Sequence, residues 1–203
     1  MLLGARELGI DLAAGQLRQL QNYADLVRRW NEKFNLVSRQ DIGRFVPRHL
    51  LDSLTIATML RPPNMLDLGT GAGLPGIPLA VARPELEVVL LDRGARKTRF
   101  LRQVVRQIGL ANVTVCCQDV RDATDIGPFA SIVSRGVASA AKLWTLAEPL
   151  LADCGLVYMM YRTASDEHSQ APAVAGAAVA CSRISVPGLP GLHEIVKMSR
   201  VSS

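Results

Sequence analysis

Glycine stands at positions 69, 71, 73 and 76, directly after the apolar run Met65-Leu66-Asp67-Leu68 and directly before a helical pattern that follows Pro75. Few chain patterns narrow the fold more. Glycine lacks a Cβ, so a backbone built from it turns sharply and approaches a ligand closely. The segment contains Asp-x-Gly-x-Gly-x-Gly from Asp67 and, embedded from Gly71 to Gly76, the Gly-x-Gly-x-x-Gly of dinucleotide sites.

Asp67 separates these two readings by charge. A carboxylate there opposes an anionic pyrophosphate, whereas it attracts the ammonium of the methionine portion of S-adenosylmethionine. Asp92 closes the next strand-like run, 19 positions after Gly73, where its oxygens are placed to accept from both ribose hydroxyls. The competing reading of Asp92 is a cap on the following helix. Gln118-Asp119-Val120-Arg121-Asp122 ends a third strand and is expected to wall the adenine ring, because ligands of open α/β sheets lie at the strands' carboxyl ends. Ser134-Arg135-Gly136 ends a fourth, which aims Arg135 at the same crevice. S-adenosylmethionine is thus expected at Asp67, Gly69, Gly71, Gly73 and Leu74, with Asp92 holding the ribose.

The rest of the chain supports this frame. Strand-like runs at 65–68, 87–92, 113–117, 130–134 and 156–161 alternate with helical patterns, one of them with Leu101, Val104, Val105 and Ile108 on one face and another over Ala138 to Leu151. Alternation of this kind predicts an α/β fold with a mostly parallel sheet covered by helices. Val179 to Val186 and His193 to Met198 flank a Pro-Gly turn and predict a C-terminal antiparallel pair. The stretch from Thr163 to Ala178 is alanine-rich and stays open between helix and loop. Before the sheet, apolar residues at Leu17, Leu20, Ala24, Val27, Trp30 and Phe34 predict a docking helix, and a second helix is expected from Pro47 to Leu60. Pro62-Pro63 marks the boundary between an N-terminal helical cap, 1–63, and the main domain, 64–203.

Composition limits the partners. The formal net charge is +5, which favours a polyanion. Arg96, Arg99, Arg102 and Arg106 fall opposite the apolar stripe of their helix, so this face is expected to meet RNA phosphate, with plain solvation as the competing reading. Cys116, Cys117, Cys154 and Cys181 lack metal-ligand spacing and are read as buried thiols. No apolar run reaches membrane-spanning length, and the amino terminus lacks a secretory pattern, so a cytoplasmic location is expected.

Together the segments Trp30-Asn31-Glu32-Lys33-Phe34-Asn35-Leu36, Arg48-His49-Leu50-Leu51-Asp52-Ser53, Asp67 through Pro78, Leu90-Leu91-Asp92, Arg99-Phe100-Leu101 and Ser134-Arg135 resemble the ribosomal RNA small subunit methyltransferase G family, also called the glucose-inhibited division protein B family, from about Leu17 to Met198. The resemblance implies a Rossmann-like methyltransferase that methylates N7 of a guanine in 16S ribosomal RNA, on free RNA or a small-subunit particle, as a monomer. It places the cofactor at Gly69, Leu74, Val120-Arg121 and Arg135, with Arg135 also favoured for organising the reactants. It implies that Asn35, Arg48, His49 and Asp52 lie on the substrate side. The chain departs from the family at Met160-Tyr161-Arg162, where Leu-Lys-Gly is usual, leaving Arg162 as the nearest basic substitute. Asp119 and Arg121 replace basic and acidic residues, and Glu194 follows His193 where an apolar residue is usual. An NAD(P)-dependent oxidoreductase and a non-catalytic RNA-binding protein on a methyltransferase fold remain the rival readings.

Overall fold

The computed structural model describes residues 1–123, 125–136, 139–162 and 171–201. Its apolar runs form β1 (Asn64–Leu68), β2 (Glu87–Leu91), β3 (Val113–Cys116), β4 (Phe129–Arg135), β5 (Leu151–Arg162), β6 (Ala177–Ser185) and β7 (Leu192–Arg200). They make one seven-stranded sheet in the order β3-β2-β1-β4-β5-β7-β6. β1 to β5 pair in parallel, while β7 runs antiparallel to both β5 and β6. The Rossmann-like sheet with an antiparallel C-terminal pair is therefore as expected. From β1 the chain builds outward to β2 and β3, then returns to place β4 on the other side of β1. This reversal opens a crevice above the carboxyl ends of β1 and β4.

The helices are α1 (Leu2–Glu7), α2 (Ala14–Asn31), α3 (Asp52–Leu54), α4 (Gly76–Ala82), α5 (Ala95–Ile108) and α6 (Ala140–Ala147). Successive residues of β1 face opposite sides, so Met65 joins one apolar cluster and Leu66 and Leu68 the other. The first cluster unites Leu20, Tyr23, Val27, Phe45, Leu50 and Leu54 of the N-terminal segment with Met65, Ile77, Phe100 and Leu101 of the sheet layer. The second packs Leu143 and Trp144 of α6 on Ile132, Val157 and Val196. Each such side chain contributes about 1.5–3 kcal/mol by leaving water.

Several local expectations are corrected. α2 stops at Asn31 rather than Phe34, because the Asn31 side chain turns back to accept from the backbone N–H of Leu36 and Val37, at 2.7 and 3.0 Å. The helix expected from Pro47 to Leu60 breaks into a π turn over Val46–Leu51, the single turn of α3 and a 3-10 turn over Ala57–Met59. Ser53 and Thr55 hydroxyls donate to the backbone carbonyls of His49 and Asp52 there, competing with regular helix bonding. α6 ends at Ala147, ahead of a 3-10 turn containing Pro149, and Leu151 already belongs to β5. α1 carried no expectation. Cys117 and Cys154 are exposed and Cys116 and Cys181 only half-buried, because Cys117 lies beyond β3 and Cys154 lies where β5 overhangs the register shift opposite β4. Within the ambiguous 163–178 stretch, 163–170 fall outside the described residues.

Candidate active site

The glycine turn is held from beneath. Asp67 at the end of β1 is wholly buried, and its Oδ2 accepts from Thr70 Oγ1 at 2.6 Å and from Gly76 N at 2.7 Å. Burial pushes its carboxyl up from 3.8 to about 6, against the lowering effect of those two bonds. A Cβ on Gly76 would stand 2.6 Å from Asp67 Oδ2, and one on Gly73, which has φ +96°, would stand 2.6 Å from Ile77 Cγ1. No larger residue fits either place without a shift of its neighbours. From the cap, the buried Tyr23 hydroxyl donates to the Ala72 carbonyl at 2.9 Å.

Above the turn lies a cleft of about 610 Å³, walled by Leu68, Leu91, Val120 and Leu146 and bordered by Gly69, Asp92, Gln118, Arg121 and Arg135. Asp92 sits at its base, accepting from Gly71 N at 3.0 Å and Gly94 N at 2.8 Å, with Lys97 Nζ 3.4 Å away. Asp92 thus ties the helix start, as the capping reading has it, and also faces the cleft. Gln118 Nε2 is buried without a partner among the described residues. Asp119 accepts from Arg121 Nε and Nη2 at 2.9 and 2.8 Å, so the exchanged charges at these two positions still make a pair.

Of the expected cofactor residues, Gly69, Asp92, Val120, Arg121 and Arg135 line this cleft, while Asp67, Gly71, Gly73 and Leu74 do not. Asp67 lies beneath the turn and not in the cleft: its Oδ1, without a partner among the described residues, is closed to solvent, while Oδ2 shapes the turn. Leu74 packs into the cap-side apolar cluster. Arg93, Lys97 and Lys142 were missed, although basic residues near strand ends were the signal for them.

A second pocket of about 270 Å³ adjoins the first, sharing Arg135 and Gly136 with it. Its lining includes Arg48, Asp52, Thr55, Met160 and His193. Arg135 Nη1 donates to Asp52 Oδ2 at 3.0 Å, and Arg135 Nη2 lies 3.2 Å from His49 Nδ1. A guanidinium only donates, so this Nδ1 is the acceptor and His49 is neutral. Burial first, and Arg135 second, lower its pKa from 6.5 to about 4. The other Asp52 oxygen meets His193 Nδ1 at 2.7 Å. Arg48 pairs with Asp41 at 2.8 Å. The expected Arg48, His49 and Asp52 are thus brought together with Arg135, and His193 is the member that sequence reasoning missed.

Asn35 is not in this group; it is exposed in the turn after α2. Arg162 ends β5, and its side chain lies outside the described residues. Two of the departures from the family pattern meet each other: Tyr161 and Glu194 are register partners across β5 and β7. The phenol donates to the carboxylate, and burial together with that bond raises Tyr161 to about 12. The pair places a polar contact where a lysine and an apolar residue are usual, and it leaves Glu194 Oε2 buried without a partner among the described residues.

Comparison with known proteins agrees with this geometry. The family model described as rRNA small subunit methyltransferase G matches residues 16–190. The "Ribosomal RNA small subunit methyltransferase G" of Methylococcus capsulatus is 41% identical over 196 residues, covering 96% of this chain and 95% of that protein. The protein of the same name from Nitrosococcus oceani is 38% identical, covering 94% and 89%. Among solved structures, a mutant of MtNAS in complex with S-adenosylmethionine shares the fold with a TM-score of 0.58 at 13% identity, over 92% of this chain and 72% of that one. With the match of the family model and of near full-length relatives, the chain belongs to the rRNA small subunit methyltransferase G family.

Proposed function

We propose that this chain transfers the methyl group of S-adenosylmethionine to N7 of a guanine in 16S ribosomal RNA, acting as a monomer in the cytoplasm. The observation that carries the reading is the pair of chambers meeting at Arg135 and Gly136. The larger one fits the cofactor: apolar walls suit a purine, Asp92 offers acceptors for ribose hydroxyls, and Gln118 Nε2 is a donor awaiting an acceptor. When bound, this cofactor supplies an electrophilic methyl on a sulfonium that leaves as a neutral thioether. The smaller chamber then receives the base.

Guanine N7 presents an unprotonated lone pair, so no residue has to remove a proton. The protein's task is to hold the base in line and at near-attack distance. Arg135 is fixed by Asp52 and His49 on the wall shared by both chambers, which suits it to orient both reactants. The base must be unpaired to enter, as is usual where RNA bases are read individually. Arg96, Arg99, Arg102 and Arg106 are exposed on α5, a helix with no acidic residue. Arg99, Arg102 and Arg106 border a groove of about 260 Å³ with Trp30. Cations beside an aromatic ring suit phosphate and an unstacked base.

The test is transfer of labelled methyl to free 16S RNA and to small-subunit particles, followed by mapping of the product. The expected product is 7-methylguanine at one position. Methylation of an exocyclic amine or a ring carbon, or no transfer to either substrate, would reject the reading.

A further inference from the structure

The His193–Asp52 contact is buried and joins residues 141 positions apart. A carboxylate has no proton to give, so His193 Nδ1 donates and carries the ring proton. In the neutral ring Nε2 then holds a lone pair. His49 has the opposite arrangement, since its Nδ1 lone pair is directed at Arg135 within the protein. Among the described residues His193 is left with an acceptor for the pocket that it lines, and its side chain is only 7% exposed.

Among the described side chains, most neighbouring polar groups are donors or already engaged. Arg48 and Arg135 offer donors and both Asp52 oxygens are taken; the Thr55 hydroxyl spends its proton on the Asp52 carbonyl, which leaves its oxygen as a further neutral acceptor. Glu194 also borders this pocket; one oxygen pairs with Tyr161, the other, Oε2, is closed to solvent and has no partner among the described residues, and strand alternation sets the side chain on the face of β7 opposite His193. Guanine presents acceptors at O6 and N7 and donors at N1–H and its amine. Arginine donors suit O6, N7 must keep its lone pair for the methyl group, and an acceptor suits N1–H. Adenine instead has a lone pair at N1.

We propose that His193, oriented by Asp52, selects the target base by accepting a hydrogen bond from guanine N1–H at Nε2, which admits guanine and disfavours adenine. This rests on the guanine-methylation reading of the same site. As N7 bonds the methyl carbon and the carbon–sulfur bond breaks, positive charge passes from sulfur to the guanine ring. The N1–H becomes a stronger donor, so the bond to His193 tightens toward the transition state. The proton stays on N1.

The experiment uses small-subunit particles carrying either guanosine or 2-aminopurine riboside at the methylated position. The second base keeps N7 but has no N1–H. Particle affinity and single-turnover transfer are measured for the wild type, His193→Ala and His193→Gln, with the melting temperature of each variant as the folding control. The wild type is expected to be slowed at least about tenfold by 2-aminopurine, a loss of the size expected for one buried hydrogen bond. His193→Ala is expected to be slowed about tenfold on guanosine and to lose about tenfold of the penalty for 2-aminopurine, whereas His193→Gln regains part of the guanosine rate through its carbonyl. If His193→Ala melts early, His193→Leu, which also lacks an acceptor but fills more of the space, carries the same comparison. A wild-type guanosine rate in His193→Ala, or an unchanged 2-aminopurine penalty in both variants, overturns the proposal alone. Failure of the wild type to methylate any guanine overturns the parent reading and this one with it.

Discussion

Asp92 uses two oxygens to serve both the turn and the cleft, which makes it the residue whose loss should be felt most directly. Asp92→Ala removes the acceptor for Gly71 and Gly94 as well as the acceptor proposed for the ribose. Losing a charged acceptor costs about 1.5–3 kcal/mol, so S-adenosylmethionine should bind at least about tenfold more weakly. Calorimetry showing unchanged affinity would take Asp92 out of the site. Asp67 makes a different prediction. Burial raises its folded pKa to about 6 from the usual 3.8, so between those values the folded chain holds a proton that the unfolded chain has released. The stabilisation from this proton is full below the unfolded value and lost as pH rises through the folded one. Asp67→Asn has no such proton, so urea midpoints should shift in favour of the variant between pH 4 and pH 7; parallel profiles would refute this. Asp67 was legible as important while its burial beneath the turn was not, because charge complementarity says which ligand a carboxylate prefers and nothing about whether it reaches one. Family membership, not Asp67, now decides between the methyl donor and a dinucleotide.

At the scale of elements, legibility followed periodicity. α5 stands out because Phe100, Leu101, Val104 and Ile108 are buried while Arg96, Arg99, Arg102 and Arg106 are exposed on its other side, and Gly109 in the left-handed region stops it. The segment from Pro47 to Leu60 has the same apolar spacing yet breaks, since hydroxyls of Ser53 and Thr55 bond backbone carbonyls that a regular helix would use. Those breaks bring His49 and Asp52 to Arg135. The exposed face of α5 carries a prediction of its own. Arg96 stacks over Phe34 at 4.8 Å, which leaves Arg99 and Arg102 as the cleaner pair to remove. If both contact phosphate, the Arg99→Ala, Arg102→Ala double variant should lower the salt dependence of RNA binding by about 0.7 per lost single-strand contact. An unchanged slope would mark the face as solvated decoration.

Across the whole molecule, the mostly parallel sheet with its antiparallel C-terminal pair was legible because alternating strands and helices with one glycine turn admit few topologies. The base pocket was not. Asp52 and His193 meet only because β7 returns antiparallel beside β5, and no spacing in the sequence records that return. The same long-range contacts bear on how the chain folds. Tyr23 of the cap bonds the glycine turn, Asp52 of the cap holds Arg135 and His193 of the sheet, and one apolar cluster runs through both parts. Residues 64–203 alone would expose the sheet-side half of that cluster, including Ile77, Phe100 and Leu101, at about 1.5–3 kcal/mol for each large side chain. Native stabilities are commonly only 5–15 kcal/mol, so a few such losses are enough to unfold the remainder. Full-length protein is therefore expected to melt in a single cooperative transition, while the 64–203 fragment shows none and binds no S-adenosylmethionine. Ligand at about a hundredfold excess over its Kd should stabilise the whole transition by about 2.7 kcal/mol. Two separate transitions, only one of them moved by the ligand, or a fragment that melts cooperatively and binds, would show that the cap is a dispensable addition.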